Sequence, residues 1–170
     1  GVKIIPIKTP KGTFKVWTKR VGNNPTIKVL LLHGGPAATH EYLEAFDSYF
    51  PAAGIEYYYY DQLGSYYSDQ PDEPELWEVA RFVEEVEQVR RALGLDSSNF
   101  YLLGQSWGGW LSIEYVVTHP GSVKSLLLSN TCGDMPHMIA ELNRLRAALG
   151  PETVAMMLAH EADGTYDHPE

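Results

Sequence analysis

The sequence predicts an α/β fold: an N-terminal hairpin leads into a mostly parallel sheet flanked by helices. Three observations carry this. Short apolar runs alternate with segments of helical periodicity along residues 27–129. The runs are bounded by Gly, Pro, Asp and Ser, as strands covered on both faces tend to be. Three chemically distinctive loops, at residues 33–36, 61–68 and 104–109, each follow one of these runs. They therefore fall at strand carboxyl ends, where open parallel sheets bind their ligands.

Taken in order, residues 2–8 and 14–19 read as two strands. Thr9-Pro10-Lys11-Gly12 supplies the turn between them. Residues 27–32 form a short apolar run ending at His33-Gly34-Gly35-Pro36. A helix is expected over residues 40–50 and a strand over 55–60, where four consecutive tyrosines suit the extended conformation. Residues 61–74 are rich in Gly, Ser, Asp and Pro and read as a loop. Over residues 75–93, Leu76, Val79, Ala80, Val83, Val86 and Leu93 share a helical face, and Gly94 stops the helix. Residues 100–103 and 123–129 are further strands, with a helix over 107–118 between them. Two more helices are expected over 138–149 and 152–160, with Pro151 opening the second. Crossovers between parallel strands should be right-handed.

The 170 residues are 44% hydrophobic and 21% charged, which is ordinary for one globular domain. Net charge is −9. Lysine and arginine are too few and too scattered to neutralise a phosphate backbone, so no nucleic-acid partner is expected. The acidity serves solubility, or else attracts a cationic substrate such as a peptide amino terminus. The single cysteine, Cys132, excludes an intrachain disulfide and fits a reducing compartment. No apolar stretch reaches membrane-span length, and the N-terminal residues lack the apolar core of a signal peptide. A cytoplasmic location and no membrane association are the expectations. No constellation suggests a metal or cofactor.

Gly104-Gln105-Ser106-Trp107-Gly108 carries the chemistry. It matches the G-x-S-x-G nucleophile elbow of the α/β-hydrolase fold. A strand must turn sharply into a helix, and small residues on either side of the serine let the two approach. Ser106 then sits at a helix N-terminus, where the dipole favours developing negative charge. Three fixed positions would match by chance roughly 0.06 times in a chain of this length. A plain Gly-Ser-Gly turn is the competing reading. An acyl transfer also needs an oxyanion hole. One donor is expected from the backbone N–H of Trp107, the other from the loop after the third strand. Pro36 has no N–H, so Gly35 is the best second donor and Gly34 the next.

Together, His33-Gly34-Gly35-Pro36, Asp61-Gln62-Leu63-Gly64…Ser68 and Gly104-Gln105-Ser106-Trp107-Gly108-Gly109 resemble the motifs of the proline iminopeptidases (prolyl aminopeptidases). The tricorn-interacting aminopeptidases of archaea are similar. The resemblance covers about residues 6–130. Two positions depart from it: Ala37 stands where the family usually has glycine, and Tyr66 replaces a second one. The stretch Ser65-Tyr66-Tyr67-Ser68-Asp69-Gln70-Pro71 looks more like the tricorn-factor branch. The resemblance implies a serine hydrolase releasing N-terminal proline or other apolar residues from short peptides through an acyl-enzyme. An esterase or amidase of the same fold, or a catalytically incomplete fragment, are the alternatives. It further implies that Asp61 and Gln62 shape the site floor together with Gly34. Local turn bonding is the other reading for Asp61.

A nucleophilic serine needs a base and an acid to orient it, in the chain order serine, acid, histidine. After Ser106 come His119, His137, His160 and His168, none of which follows a late strand. Asp134, just past the strand at 123–129, is the one acid candidate. By resemblance, residues 1–132 are the N-terminal part of the hydrolase core and 133–170 begin a helical cap. Further strands, the acid and the histidine would come from a remaining C-terminal part, in the same enzyme or as a separate chain.

Overall fold

In the computed structural model, which describes residues 1–166, six strands form one sheet in the order β1-β2-β4-β3-β5-β6. β1 (Val2–Thr9) and β2 (Gly12–Val21) pair antiparallel, and β2 pairs antiparallel with β4 (Glu56–Asp61). β4, β3 (Lys28–Leu32), β5 (Phe100–Gln105) and β6 (Ser125–Ser129) run parallel. The hairpin and the parallel array expected from the sequence are both present.

The core divides between the two sheet faces, as strand alternation requires. Tyr58, Tyr60, Leu30, Leu32, Phe100 and Leu102 point to one face. There they meet helix α1 (Val79–Ala92) through Phe82, Val83, Val86 and Val89, and helix α2 (Trp107–Thr118) through Leu111 and Tyr115. Tyr57, Tyr59, Val29, Leu31 and Leu103 point to the other, under Leu43 and Phe46. Each fully buried aliphatic side chain contributes about 1.5–3 kcal/mol. Gly94, at φ +66, closes α1 by letting Leu95 N–H reach the Arg90 carbonyl.

The segment expected as a helix over 40–50 is a 3-10 helix, Glu41–Ser48. Both of its ends are pinned. His40 bonds Asp61, and Asp47 accepts from the Tyr57 and Tyr59 hydroxyls. The expected helix over 75–93 also begins late. Pro74–Leu76 is a single 3-10 turn, and Glu78 is extended before α1 starts. Asp61, read as a loop residue, is the last residue of β4.

Two compact units divide the chain, Gly1–Thr131 and Cys132–Glu170. The second contains helices α3 (Met135–Ala147) and α4 (Pro151–Asp163). α3 starts earlier than expected because the Asp134 carboxylate caps it, accepting the His137 N–H at 2.9 Å. Pro136 is tolerated in that first turn. Arg146 and Glu161 join the two helices at 2.6 Å. No helix among the described residues is long and apolar enough to cross a membrane.

Candidate active site

The carboxyl ends of β3, β4 and β5 lie side by side, so the three distinctive loops converge. Ser106 follows β5 with φ 55 and ψ −122, in the left-handed region. That strained backbone is the elbow, and it leaves the serine exposed at the N-terminus of α2. Its glycines are needed sterically. A Cβ on Gly104 would lie 2.2 Å from the Gly108 carbonyl oxygen, and one on Gly108 2.2 Å from the Leu32 carbonyl oxygen. The elbow is braced from behind, since Ser106 N–H donates to the Ser129 carbonyl at 3.0 Å. Thr131 Oγ1 donates to the Ser106 carbonyl at 2.8 Å.

Trp107 opens α2, so its N–H has no carbonyl one turn earlier to bond. Gly35 has φ +116, and a Cβ there would meet Ala38 N at 2.6 Å. Gly34 serves differently from its expected role as alternative donor. Its N–H donates to Tyr42 Oη at 2.7 Å, and Tyr42 Oη donates to Gln105 Oε1 at 2.7 Å. Gly34 thus ties the loop after β3 to Gln105, the residue before Ser106. A Cβ on Gly34 would also crowd Ser106 Cβ at 3.0 Å.

Gln62 joins all three loops. Its Nε2 donates to the His33 carbonyl at 3.0 Å, and its Oε1 accepts from the Trp107 indole at 3.0 Å. Its own N–H donates to His33 Nε2 at 3.0 Å. That bond makes Nε2 an acceptor, so the proton sits on Nδ1, facing the Gly34 carbonyl at 2.9 Å. Burial holds the His33 pKa below its ordinary value, which keeps this neutral form.

Asp61 bonds His40 rather than a local turn. Its buried Oδ1 accepts from the His40 backbone N–H at 3.0 Å and meets His40 Nδ1 at 2.8 Å. Trp17 stacks on the His40 ring with centroids 4.5 Å apart. Ser68 closes the loop, donating to the Asp61 carbonyl and accepting from Trp17 N–H. Beneath, buried Glu85 accepts from Leu63 N–H at 2.9 Å and from the Tyr60 hydroxyl, and it pairs with Arg81. Sequence reasoning missed His40, Tyr42, Glu85 and Thr131, because each acts across a long interval of chain.

Within Gly1–Thr131 no histidine is hydrogen-bonded to Ser106 Oγ. His33 and His40 are engaged as described. His119 ends α2, about 18 Å from the elbow at 1.5 Å per residue, with its ring tilted against Tyr115, centroids 5.0 Å apart. In the second unit, His137 lies in the first turn of α3 and His160 meets Thr165 Oγ1 at 2.7 Å. His168 lies outside the described residues. Asp134 is occupied as the α3 cap, and Cys132 is a half-buried free thiol. Among the described residues no three His, Cys, Asp or Glu side chains group as metal ligands.

The α/β hydrolase fold family profile matches residues 28–162. A proline iminopeptidase of Elizabethkingia meningoseptica is 52% identical over 166 residues, covering 98% of this chain and 56% of that protein. One from Chitinophaga pinensis is 62% identical over 127 residues, covering 75% of this chain and 42% of that protein. The crystal structure of proline iminopeptidase from Mycobacterium smegmatis superposes with a TM-score of 0.83 at 31% identity, covering 99% of this chain and 56% of that one. The chain therefore spans about half the length of the relatives it matches. With its elbow, its glycine loop and these likenesses, the chain belongs to the α/β-hydrolase fold family and is homologous to the proline iminopeptidases.

Proposed function

We propose that this chain carries the nucleophile and oxyanion hole of a serine aminopeptidase that releases N-terminal proline or other apolar residues from short peptides. The observation that carries this reading is Ser106, exposed and held at φ 55. It stands in a chain 52% identical to a proline iminopeptidase. Ser106 Oγ attacks the carbonyl carbon of the N-terminal residue while a base takes its proton. The oxyanion accepts from the N–H groups of Gly35 and Trp107. Collapse of the intermediate breaks the C–N bond, the base returns the proton to the leaving amine, and water then hydrolyses the acyl-enzyme. Losing one oxyanion donor costs roughly 100- to 1,000-fold in turnover.

In this reading the acid and base come from the C-terminal part of the same enzyme, within one polypeptide or as a separate chain. The free edge of β6 supports this, with Leu127 and Leu128 exposed on opposite faces at 41% and 48%. A fluorophosphonate probe tests the reading in protein that carries the C-terminal segment. Ser106 should be labelled, and Ser106→Ala should not. Turnover of proline, alanine and leucine arylamides well above that of p-nitrophenyl esters identifies the aminopeptidase over an esterase. Absence of label at Ser106 sinks the reading.

A further inference from the structure

Two glycines in succession give the loop after β3 a backbone with wide conformational choice. A donor to an oxyanion must nevertheless be in place before the charge develops. Gly34 is held from both sides. Its carbonyl accepts from His33 Nδ1 at 2.9 Å and from the Ala38 N–H at 3.3 Å. The Gly34–Gly35 peptide is trans and planar, so the Gly35 N–H points away from that carbonyl. On the other side, the Gly34 N–H donates to Tyr42 Oη at 2.7 Å. The same hydroxyl donates its own proton to Gln105 Oε1 at 2.7 Å.

Tyr42 is itself anchored. It follows His40, whose backbone N–H and ring both bond Asp61, at 3.0 and 2.8 Å. Leu43, on its other side, is buried in the core. Burial raises the Tyr42 pKa above its ordinary value, so the hydroxyl keeps the proton it gives to Gln105. The strapped parts have little slack: a Cβ on Gly34 would lie 2.9 Å from Gln105 Oε1 and 3.0 Å from Ser106 Cβ.

We propose that Tyr42 is a positioning residue for acyl transfer: its hydroxyl straps the loop after β3 to the nucleophile elbow and sets the spacing between the Gly35 N–H and Ser106. The role in turnover rests on the aminopeptidase reading above; the strap itself does not. Tyr42 acts through Gly34 and Gln105. Without its oxygen, the Gly34 N–H loses its acceptor and the glycine pair regains freedom. The donor then leaves its position part of the time, which slows the chemical step more than it weakens substrate binding.

Tyr42→Phe deletes the oxygen and keeps the ring. In protein carrying the C-terminal segment, kcat for proline and alanine arylamides should fall about tenfold, the worth of one ordinary hydrogen bond, and KM should change less than about twofold. Fluorophosphonate labelling of Ser106 should slow with kcat. Tyr49→Phe, which removes an exposed hydroxyl just past the same 3-10 segment, should leave both unchanged. Gln105→Met removes the other end of the strap, and the double variant with Tyr42→Phe should be no slower than the slower single variant. Hydrogen exchange at the Gly34 amide, followed by NMR, needs no activity; it should quicken about tenfold in Tyr42→Phe. An unchanged kcat in Tyr42→Phe, a loss confined to KM, or single effects that multiply in the double variant overturns the proposal. Gly34 exchange as slow as in the unaltered protein overturns it too. If the unaltered protein neither labels nor turns over, while Gly34 exchange still responds to Tyr42→Phe, the aminopeptidase reading fails and takes the positioning role with it, leaving only a structural strap.

Discussion

Replacing Gly108 by alanine tests how the nucleophile elbow is held. The added Cβ would lie 2.2 Å from the Leu32 carbonyl oxygen, 2.6 Å from its carbon and 2.7 Å from the His33 oxygen. Ordinary contact begins near 3.4 Å, so the overlap exceeds an ångström. The obstacles are backbone atoms of β3 and its loop, and no rotamer change relieves them. α2 must move away from β3, which for overpacking of this kind costs about 3 kcal/mol. With a urea m-value of about 2 kcal/mol/M, the unfolding midpoint should fall by about 1.5 M. Gly121→Ala is the control. Gly121 has φ +78, but nothing lies within 4 Å of its added Cβ. Its cost is the left-handed conformation alone, about 1 kcal/mol, or about 0.5 M. Urea titrations followed by tryptophan fluorescence and circular dichroism measure both. If Gly108→Ala loses no more than Gly121→Ala, close helix–strand approach is not what the glycine serves.

Gln62→Leu should remove the links to the Trp107 indole and the His33 carbonyl, lowering stability by about 1–3 kcal/mol. In enzyme carrying the C-terminal segment, kcat should fall further than KM rises, because the Gly35 and Trp107 N–H groups proposed as oxyanion donors lose their spacing; a pure KM effect would contradict the positioning role. Glu87 is held at a pKa of about 2, first by its hydrogen bond from Arg90 and then by Tyr115 and Arg91. Because the folded value lies below the ordinary 4.5, its stabilisation is complete above that pH and is lost as pH falls toward 2. At 1.36 kcal/mol per unit this amounts to about 3 kcal/mol. Glu87→Gln should flatten the stability profile over that window, and an unchanged acid slope would refute it. Ala37→Gly should raise the thermal midpoint by relieving about 1 kcal/mol of strain at φ 68; a lowered midpoint would show that the loop needs the methyl group.

Much of the fold was legible because its signals are local. The elbow at Ser106 and the glycines at 34–35 sit within a few residues of the turns they make. The alternation of apolar runs with helical faces located every strand and both long helices of the first unit. What stayed illegible acts at a distance. Gly34 was ranked by its proximity to Pro36, but its N–H is taken by Tyr42, eight residues along and folded back by the 3-10 segment. Asp61 looked like a turn residue because nothing in the sequence links it to His40, 21 positions earlier. Gln62 was tied to the site floor by resemblance, but its three simultaneous hydrogen bonds, to His33 and Trp107, depend on how β3, β4 and β5 lie together. The 3-10 segment itself carries apolar spacing compatible with an α-helix, and its contacts to Asp61, Tyr57 and Tyr59 reach residues distant in sequence.

The tyrosine run in β4 poses an alignment problem. A strand shifted by one residue turns every side chain to the opposite face. Four identical neighbours would fill either face equally well in shape and volume. Size and hydrophobicity therefore carry no information about which alignment is right. The information lies at the ends and tips. Glu56 enters the sheet buried and finds Arg20 and the Asn24 N–H, each at 2.9 Å. Asp61 leaves it buried and finds His40. The hydroxyls of Tyr57 and Tyr59 end on Asp47, and that of Tyr60 ends on Glu85 across the sheet. A slipped strand would leave two buried charges unpaired and carry each hydroxyl away from the carboxylate that accepts it. β4 thus reads its position as a vernier does, from marked ends on a featureless scale. The loop at 61–68 inherits that alignment, and with it the placement of Gln62 against His33 and Trp107.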